Sequence, residues 1–204
     1  RAGAADSDTL RSFVTDGRVA YQIRAAKIRP DSERHIVAAC LDGAVLCYSR
    51  QGKLLWRNLD GDGFPFDMDA ADIDGDGLDE ILLAAADGTL RAIDAAGREI
   101  WRYTSEAPLL QVCAIERRPG ETIVLTGGIA KTLAALSAAG AVLHTYESDG
   151  VVRLIGGGSI LDPEKRHAAV MFAGGDRSRY ALQIFDLDEL TPQWPAAASV
   201  AAGA

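Results

Sequence analysis

The chain is poor in the residues that build covalent, thiolate or membrane-spanning structures. Of its 204 residues only three are Cys, three are His and two are Met, and aromatics make up 6%. Cys40, Cys47 and Cys113 are an odd set with no CxxC pair. With Asp42-Gly43 as a two-residue turn, Cys40 would lie opposite Val45 and Cys47 opposite Ala38, so the two cysteines would be diagonal neighbours. A diagonal of about 7–8 Å is too long for an easy disulfide, and all three read as small buried hydrophobes. No segment reaches 18 consecutive apolar residues, and the opening RAGAADSDTL lacks the apolar stretch of a signal peptide. There is no run of Lys and Arg, and the formal charge is −8. That balance argues against nucleic acid or an anionic membrane as partner, while a local basic patch could still hold an acidic polymer. No nucleophile motif is present: Ser159 in GGGSI is not a GxSxG elbow, and His35, His144 and His167 lie outside any catalytic pattern.

What the chain does have is a repeat. Shifted by 45 residues, Ile36 falls on Ile81, Asp42-Gly43 on Asp87-Gly88, Gly52 on Gly97 and Trp56-Arg57 on Trp101-Arg102, without a gap. Looser copies follow, with Gly140 for Gly97 and His144 for Trp101 in the third and Trp194 closing the fourth. Each unit holds four short strand candidates separated by turn residues; in the second these are 66–71, 81–86, 89–94 and 99–103. Asp87-Gly88 signals a two-residue hairpin, and Ala95-Ala96-Gly97 a three-residue hairpin with Gly at the positive-φ position. Four strands per repeat of about 45 residues define a β-propeller blade, whose faces are buried only against neighbouring blades. The fold class is therefore all-β, a propeller of about four four-stranded blades.

The expected boundaries are an N-terminal segment over 1–18, blades over 19–63, 64–107, 108–150 and 151–197, and an Ala-rich end over 198–204. Residues 8–16 are expected to form the outer strand of a preceding or closing blade. Because the chain begins with Arg and most propellers have six to eight blades, it is expected to be part of a larger propeller or multidomain protein. Trp56, Trp101 and Trp194 are expected to pack between blades.

The second unit carries the chemistry. DIDGDGLDE places Asp72, Asp74 and Asp76 at alternate positions, the main-chain carbonyl of Leu78 at the seventh and Glu80 at the ninth. These are hard oxygen donors in a cation-binding spacing, and Ca²⁺ is the expected ion. An EF-hand would need a glutamate at the twelfth place, where Leu83 stands within an apolar run, so this loop feeds a strand. Four carboxylates in nine residues repel by roughly 1–4 kcal/mol per close pair, a cost that a bound dication removes. The matching positions of the first unit are Lys27, Arg29, Asp31 and His35, so no metal is expected there and a Lys or Arg is expected to pair with Asp31 or Glu33.

Two resemblances attach to these residues. DGTLRAIDAAGREIW, and less fully DGAVLCYSRQGKLLW, resemble the PQQ-like propeller repeat, and DIDGDGLDE resembles the calcium loop of FG-GAP repeats. They imply a propeller with one calcium site, in a protein that is secreted, periplasmic or at the cell surface. A quinone-dependent dehydrogenase is disfavoured, because those enzymes have eight blades and a vicinal Cys-Cys.

Aligning the innermost strands brings Gln22, Asp67, Gln111 and Arg153 to one position, a polar arc around the expected channel that could contact polysaccharide or protein. Asp67 and Asp69 share one side of a strand and are the one carboxylate pair worth testing for acid or base work. The expected function is a non-catalytic, calcium-stabilised binding or scaffolding domain, contacting polysaccharide or protein. The alternative is part of a carbohydrate-active enzyme, a polysaccharide lyase or glycoside hydrolase, with catalytic residues partly outside the chain.

Overall fold

The computed structural model describes residues 15–31, 33–174 and 180–194. Its sixteen strands form four antiparallel sheets, each made of four consecutive strands in sequence order, with no helix among the described residues. Blade 1 holds β1 (Ala20–Ala26), β2 (His35–Cys40), β3 (Val45–Tyr48) and β4 (Leu54–Asn58). Blade 2 holds β5 (Pro65–Ala71), β6 (Glu80–Ala85), β7 (Thr89–Ile93) and β8 (Glu99–Thr104). Blade 3 holds β9 (Leu109–Arg118), β10 (Glu121–Gly128), β11 (Thr132–Leu136) and β12 (Val142–Glu147). Blade 4 holds β13 (Val151–Gly158), β14 (His167–Ala173), β15 (Tyr180–Asp186) and β16 (Pro192–Trp194). The innermost strands pack in series, β1 on β5, β5 on β9 and β9 on β13, and no comparable packing joins β13 to β1 among the described residues. The fold is a β-propeller built as an arc of four blades. The strand expected over 8–16 and the Ala-rich end lie largely or wholly outside the described residues.

Strand alternation makes each inner sheet serve two cores. In blade 2, Ile81, Leu83 and Ile93 face Val37, Val45 and Cys47 of blade 1. Their neighbours Leu82, Leu90 and Ala92 face Val112, Val124 and Leu136 of blade 3. Ile115, Ile123 and Leu125 of blade 3 meet Val170, Phe172 and Phe185 of blade 4. Each fully buried large apolar side chain stabilises by about 1.5–3 kcal/mol. Within these described cores the hydrophobic energy therefore lies between blades.

The tryptophans lock this stacking. The Trp56 indole N–H donates to the Ala95 carbonyl at 3.0 Å and that of Trp101 to Ala138 at 2.8 Å. Each ring lies on the glycine of the next blade's outer hairpin: a Cβ on Gly97 would sit 2.7 Å from the Trp56 ring, and one on Gly140 2.7 Å from that of Trp101. Both glycines also have positive φ, so the position excludes any side chain twice over. Trp194 departs from the expected role, being 46% exposed with no such hairpin on it among the described residues.

Two expected registers are corrected. Asp42-Gly43 and Asp87-Gly88 close three-residue loops, since Ala39 pairs with Val45 and Ala84 with Leu90. The Asp87 carboxylate accepts from the Thr89 N–H at 2.9 Å, which turns the chain one residue earlier than a two-residue hairpin would. Cys47 therefore pairs with Val37, three residues from Cys40. An odd separation puts the two cysteines on opposite faces of blade 1, and all three cysteines are free. Burial pushes the Cys47 thiol up to about 12 and that of Cys113 up to about 11, as befits inert packing groups.

Candidate functional site

The 72–80 loop joins β5 to β6 and is wound by Gly75 and Gly77 at φ of +82° and +85°. Asp72 shapes it from within, accepting from the Gly75 N–H at 2.7 Å and the Gly77 N–H at 2.9 Å. Asp74 accepts from the Asp76 N–H at 3.0 Å, and Asp76 from the Leu78 N–H at 2.7 Å. Asp72, Asp74 and Glu80 each offer a carboxylate oxygen, and these oxygens all lie within 4.8 Å of one another. Asp76 is not in that group. Two oxygens bound to one Ca²⁺ at 2.3–2.6 Å are at most about 5 Å apart, so the three fit a single ion of that size.

Glu80 is the buried member, 2% exposed at the start of β6. Burial pushes its carboxyl up to about 7, and the charges of Asp74, Asp76 and Asp72 add to this against an opposing N–H from Ile73. That N–H, at 3.1 Å, gives Glu80 a framework role as well. His167 stands at the same place in blade 4, with Nδ1 3.4 Å from the Ile160 N–H. His35 occupies it in blade 1, 3% exposed, with no partner for Nδ1 among the described residues. The loop frame thus recurs with either side chain, while the cluster of carboxylates belongs to blade 2.

Blade 1 answers with cations. Arg34 donates to the Asp79 carboxylate at 2.6 Å, and the Lys27 backbone exchanges two hydrogen bonds with Asp79, each 2.7 Å. The pairing expected for Glu33 is present as a 3.6 Å contact with Arg50. Beyond the loop, Thr122 of blade 3 donates to the Asp72 carbonyl at 3.2 Å. A cleft there is lined by Asp72, Gly75, Glu116, Gly120 and Thr122.

Of the residues expected in the arc, Gln22, Asp67 and Gln111 share one register position and Arg153 does not. Each innermost strand carries a β-bulge near its start, at Tyr21, Phe66, Leu110 and Arg153. The residue after the bulge is Gln22, Asp67 or Gln111 in blades 1 to 3, but Leu154 in blade 4. Arg153 is itself the bulged residue, because the single extra residue shifts the pairing by one.

Asp67 and Asp69 are spent on the neighbouring blade. Asp67 accepts from the Val112 N–H at 3.2 Å, from Arg24 at 3.3 Å and from the Met68 N–H at 2.9 Å. Asp69 accepts from the Ala114 N–H at 2.9 Å. Burial raises the Asp67 carboxyl, and these N–H donors oppose the rise. The pair closes the unpaired edge of β9, which an innermost strand would otherwise present bare. Gln22 likewise donates to the Phe66 carbonyl at 3.2 Å.

A buried cation was missed in the sequence. Arg91 is 2% exposed in the middle of β7 and donates through Nε to Glu99 at 2.7 Å, through Nη2 to Asn58, and through Nη1 to the Gly43 carbonyl at 3.4 Å. A Cβ on Gly61 would lie 2.1 Å from Nη1, so that glycine makes room for the guanidinium. A lone Arg within the apolar strand TLRAI was the available signal.

Fold and loop together define a multibladed propeller whose acidic loop lies at the end of blade 2 where the first two strands meet. The family model for the lambda-carrageenase beta-propeller domain matches residues 35–166, and the chain belongs to that family. It is 31% identical over 169 residues to a lambda-carrageenase of Pseudoalteromonas sp, covering 82% of this chain and 18% of that protein. It is also 31% identical over 145 residues to the lambda-carrageenase of Pseudoalteromonas carrageenovora, covering 71% of this chain and 15% of that protein. The chain thus spans less than a fifth of the length of these relatives. Among solved structures, Sqt1 of Saccharomyces cerevisiae superposes with a TM-score of 0.66 at 18% identity, covering 84% of this chain and 50% of that one. BBS1N in complex with ARL6DN gives 0.64 at 13%, covering 85% and 54%. The computationally designed Ika4 gives 0.59 at 17%, covering 87% and 98%. These structural likenesses support the propeller fold.

Proposed function

We propose that this propeller is a non-catalytic binding or scaffolding domain of a carbohydrate-active protein that is secreted, periplasmic or at the cell surface, and that it contacts polysaccharide. Membership of the lambda-carrageenase propeller family supports the polysaccharide. The observation that carries the non-catalytic role is the use of Asp67 and Asp69: their carboxylates accept backbone N–H groups of the next blade, so neither is poised to move a proton. A single Ca²⁺ in blade 2 braces the domain, held by Asp72, Asp74 and Glu80, with Asp76 and the Leu78 carbonyl completing the donor set. The mutual reach of three carboxylate oxygens supports this reading, as does the hardness of every donor.

The parent polypeptide is then a carbohydrate-active enzyme whose turnover resides elsewhere. The test is affinity electrophoresis of the full-length protein in lambda-carrageenan, beside a turnover assay on short oligosaccharides. Deleting the propeller is expected to weaken retention by the polymer while leaving turnover within about twofold. The alternative gives the propeller a share in catalysis through the channel; Arg153, exposed on its bulge, is the residue to remove. Lost turnover with retained binding in Arg153→Ala would favour that alternative.

A further inference from the structure

We propose that the outward face of blade 4 is an open inter-blade surface that receives a further four-stranded propeller blade from outside the 204 residues, docked by Trp194 on that blade's outer hairpin. The inter-blade cores set the pattern. Leu125, Leu133 and Ala135 of blade 3 face blade 4 and are at most 1% exposed. Their counterparts in the blade 4 register are Ala169, Leu182 and Ile184. Ile184 is buried at 7%, whereas Leu182 is 47% exposed and Leu154, in the row of Leu182, 53%. The innermost strand shows the same asymmetry within two residues. A Cβ on Gly157 would lie 2.7 Å from Ile115 of blade 3, whereas one on Gly156, pointing the other way, would meet nothing within 4 Å.

The second element is the tryptophan lock. Trp56, Trp101 and Trp194 hold one register position, opposite Cys47, Ala92 and Ile184. The first two spend their indole N–H on the next blade's outer hairpin and stack on its glycine. Trp194 stands ready for the same contact, 46% exposed. The occupant is therefore specified: an apolar sheet face matching Leu154, Met171 and Leu182, and an outer hairpin with a positive-φ glycine two residues after a free carbonyl. The row Leu154, Met171 and Leu182 holds no charged side chain, which suits an apolar protein face.

Leu182→Cys tests this directly, since Cys40 and Cys47 are buried and the Cys113 thiol is held near 11, leaving the introduced thiol the fast one. Maleimide labelling is compared between the full-length protein and the 204-residue chain. Labelling at least about tenfold slower in the full-length protein is expected, with no dependence on calcium or carbohydrate, which separates it from the proposed function. Equal rates would overturn the proposal. Protection that appears in the 204-residue chain as its concentration rises would also overturn it, by assigning the face to a second copy. Trp194→Phe gives a second readout: the full-length protein is expected to lose melting temperature and the 204-residue chain to keep it, and the reverse would contradict the docking.

Discussion

Blades 1 and 2 carry loops of equal length at the same place, and the two have diverged in opposite directions. Blade 2 gathers Asp72, Asp74 and Glu80 with no cation among them, while blade 1 puts Lys27 and Arg29 at the first two positions and His35 at the third. The frame is shared, since Glu80 and His35 both open a second strand in the buried position. The charge is not shared, and it is complementary: Arg34 of blade 1 binds Asp79 of blade 2. A propeller loop can thus keep its path through backbone and one buried anchor while its exposed side chains change sign. Arg91 extends the contrast, because its counterpart in blade 1 is Leu46 and the buried cation reaches back across the interface to Asn58 and Gly43.

The largest expected effect comes from that cation. Arg91→Ala removes a buried charge, leaves the Asn58 and Gly43 oxygens without their donor and opens a void, and should cost about 3 kcal/mol in chemical denaturation. Next is conversion of the blade 2 loop to the blade 1 type. Asp72→Lys with Asp74→Arg should abolish any calcium-dependent rise in melting temperature, a loss of about 2.7 kcal/mol at calcium a hundredfold above the dissociation constant. The fold should persist, because blade 1 supports the same loop with the same charges.

Glu99 links the contrast to pH. Its hydrogen bond from Arg102, and then that from Arg91, hold its carboxyl below the ordinary glutamate value of 4.5. A lowered carboxylate contributes stability that is present above the unfolded value and lost as pH falls through the folded one. Glu99→Gln should therefore cost about 1 kcal/mol at pH 7, a cost that shrinks as pH falls below 4.5 towards the folded value, read from denaturation across that range. The smallest effect is expected for Arg34→Ala, at most about 1 kcal/mol, since Arg34 is 60% exposed while its partner Asp79 is 11% exposed.

The blade period was legible because Trp56-Arg57 and Trp101-Arg102 recur in step with Gly52 and Gly97, and Trp56 proves to lie on Gly97 across the blade interface. Strand ends in blade 2 fell within a residue of the observed ones. The Asp-Gly turns were read one residue short because both two- and three-residue loops place a glycine at positive φ, and only the pairing separates them. Arg153 was misplaced for a related reason, since a bulge adds a residue without any side-chain signature. The use of Asp67 and Asp69 as acceptors was not readable, because it depends on where the edge of β9 lies in space. The loop carboxylates were legible as a spacing, and the structure draws three of the four together while Asp76 turns to Leu78.

The central claim, a calcium-braced blade beside one that is not, is tested most directly by calorimetric titration of Ca²⁺ into the chelator-treated protein and into its Asp74→Ala variant. Saturable binding of about one ion per chain, absent in the variant, is the expected result. No binding heat together with a melting curve indifferent to chelator would contradict it, and would leave the 72–80 loop as a turn held by its hydrogen bonds without an ion.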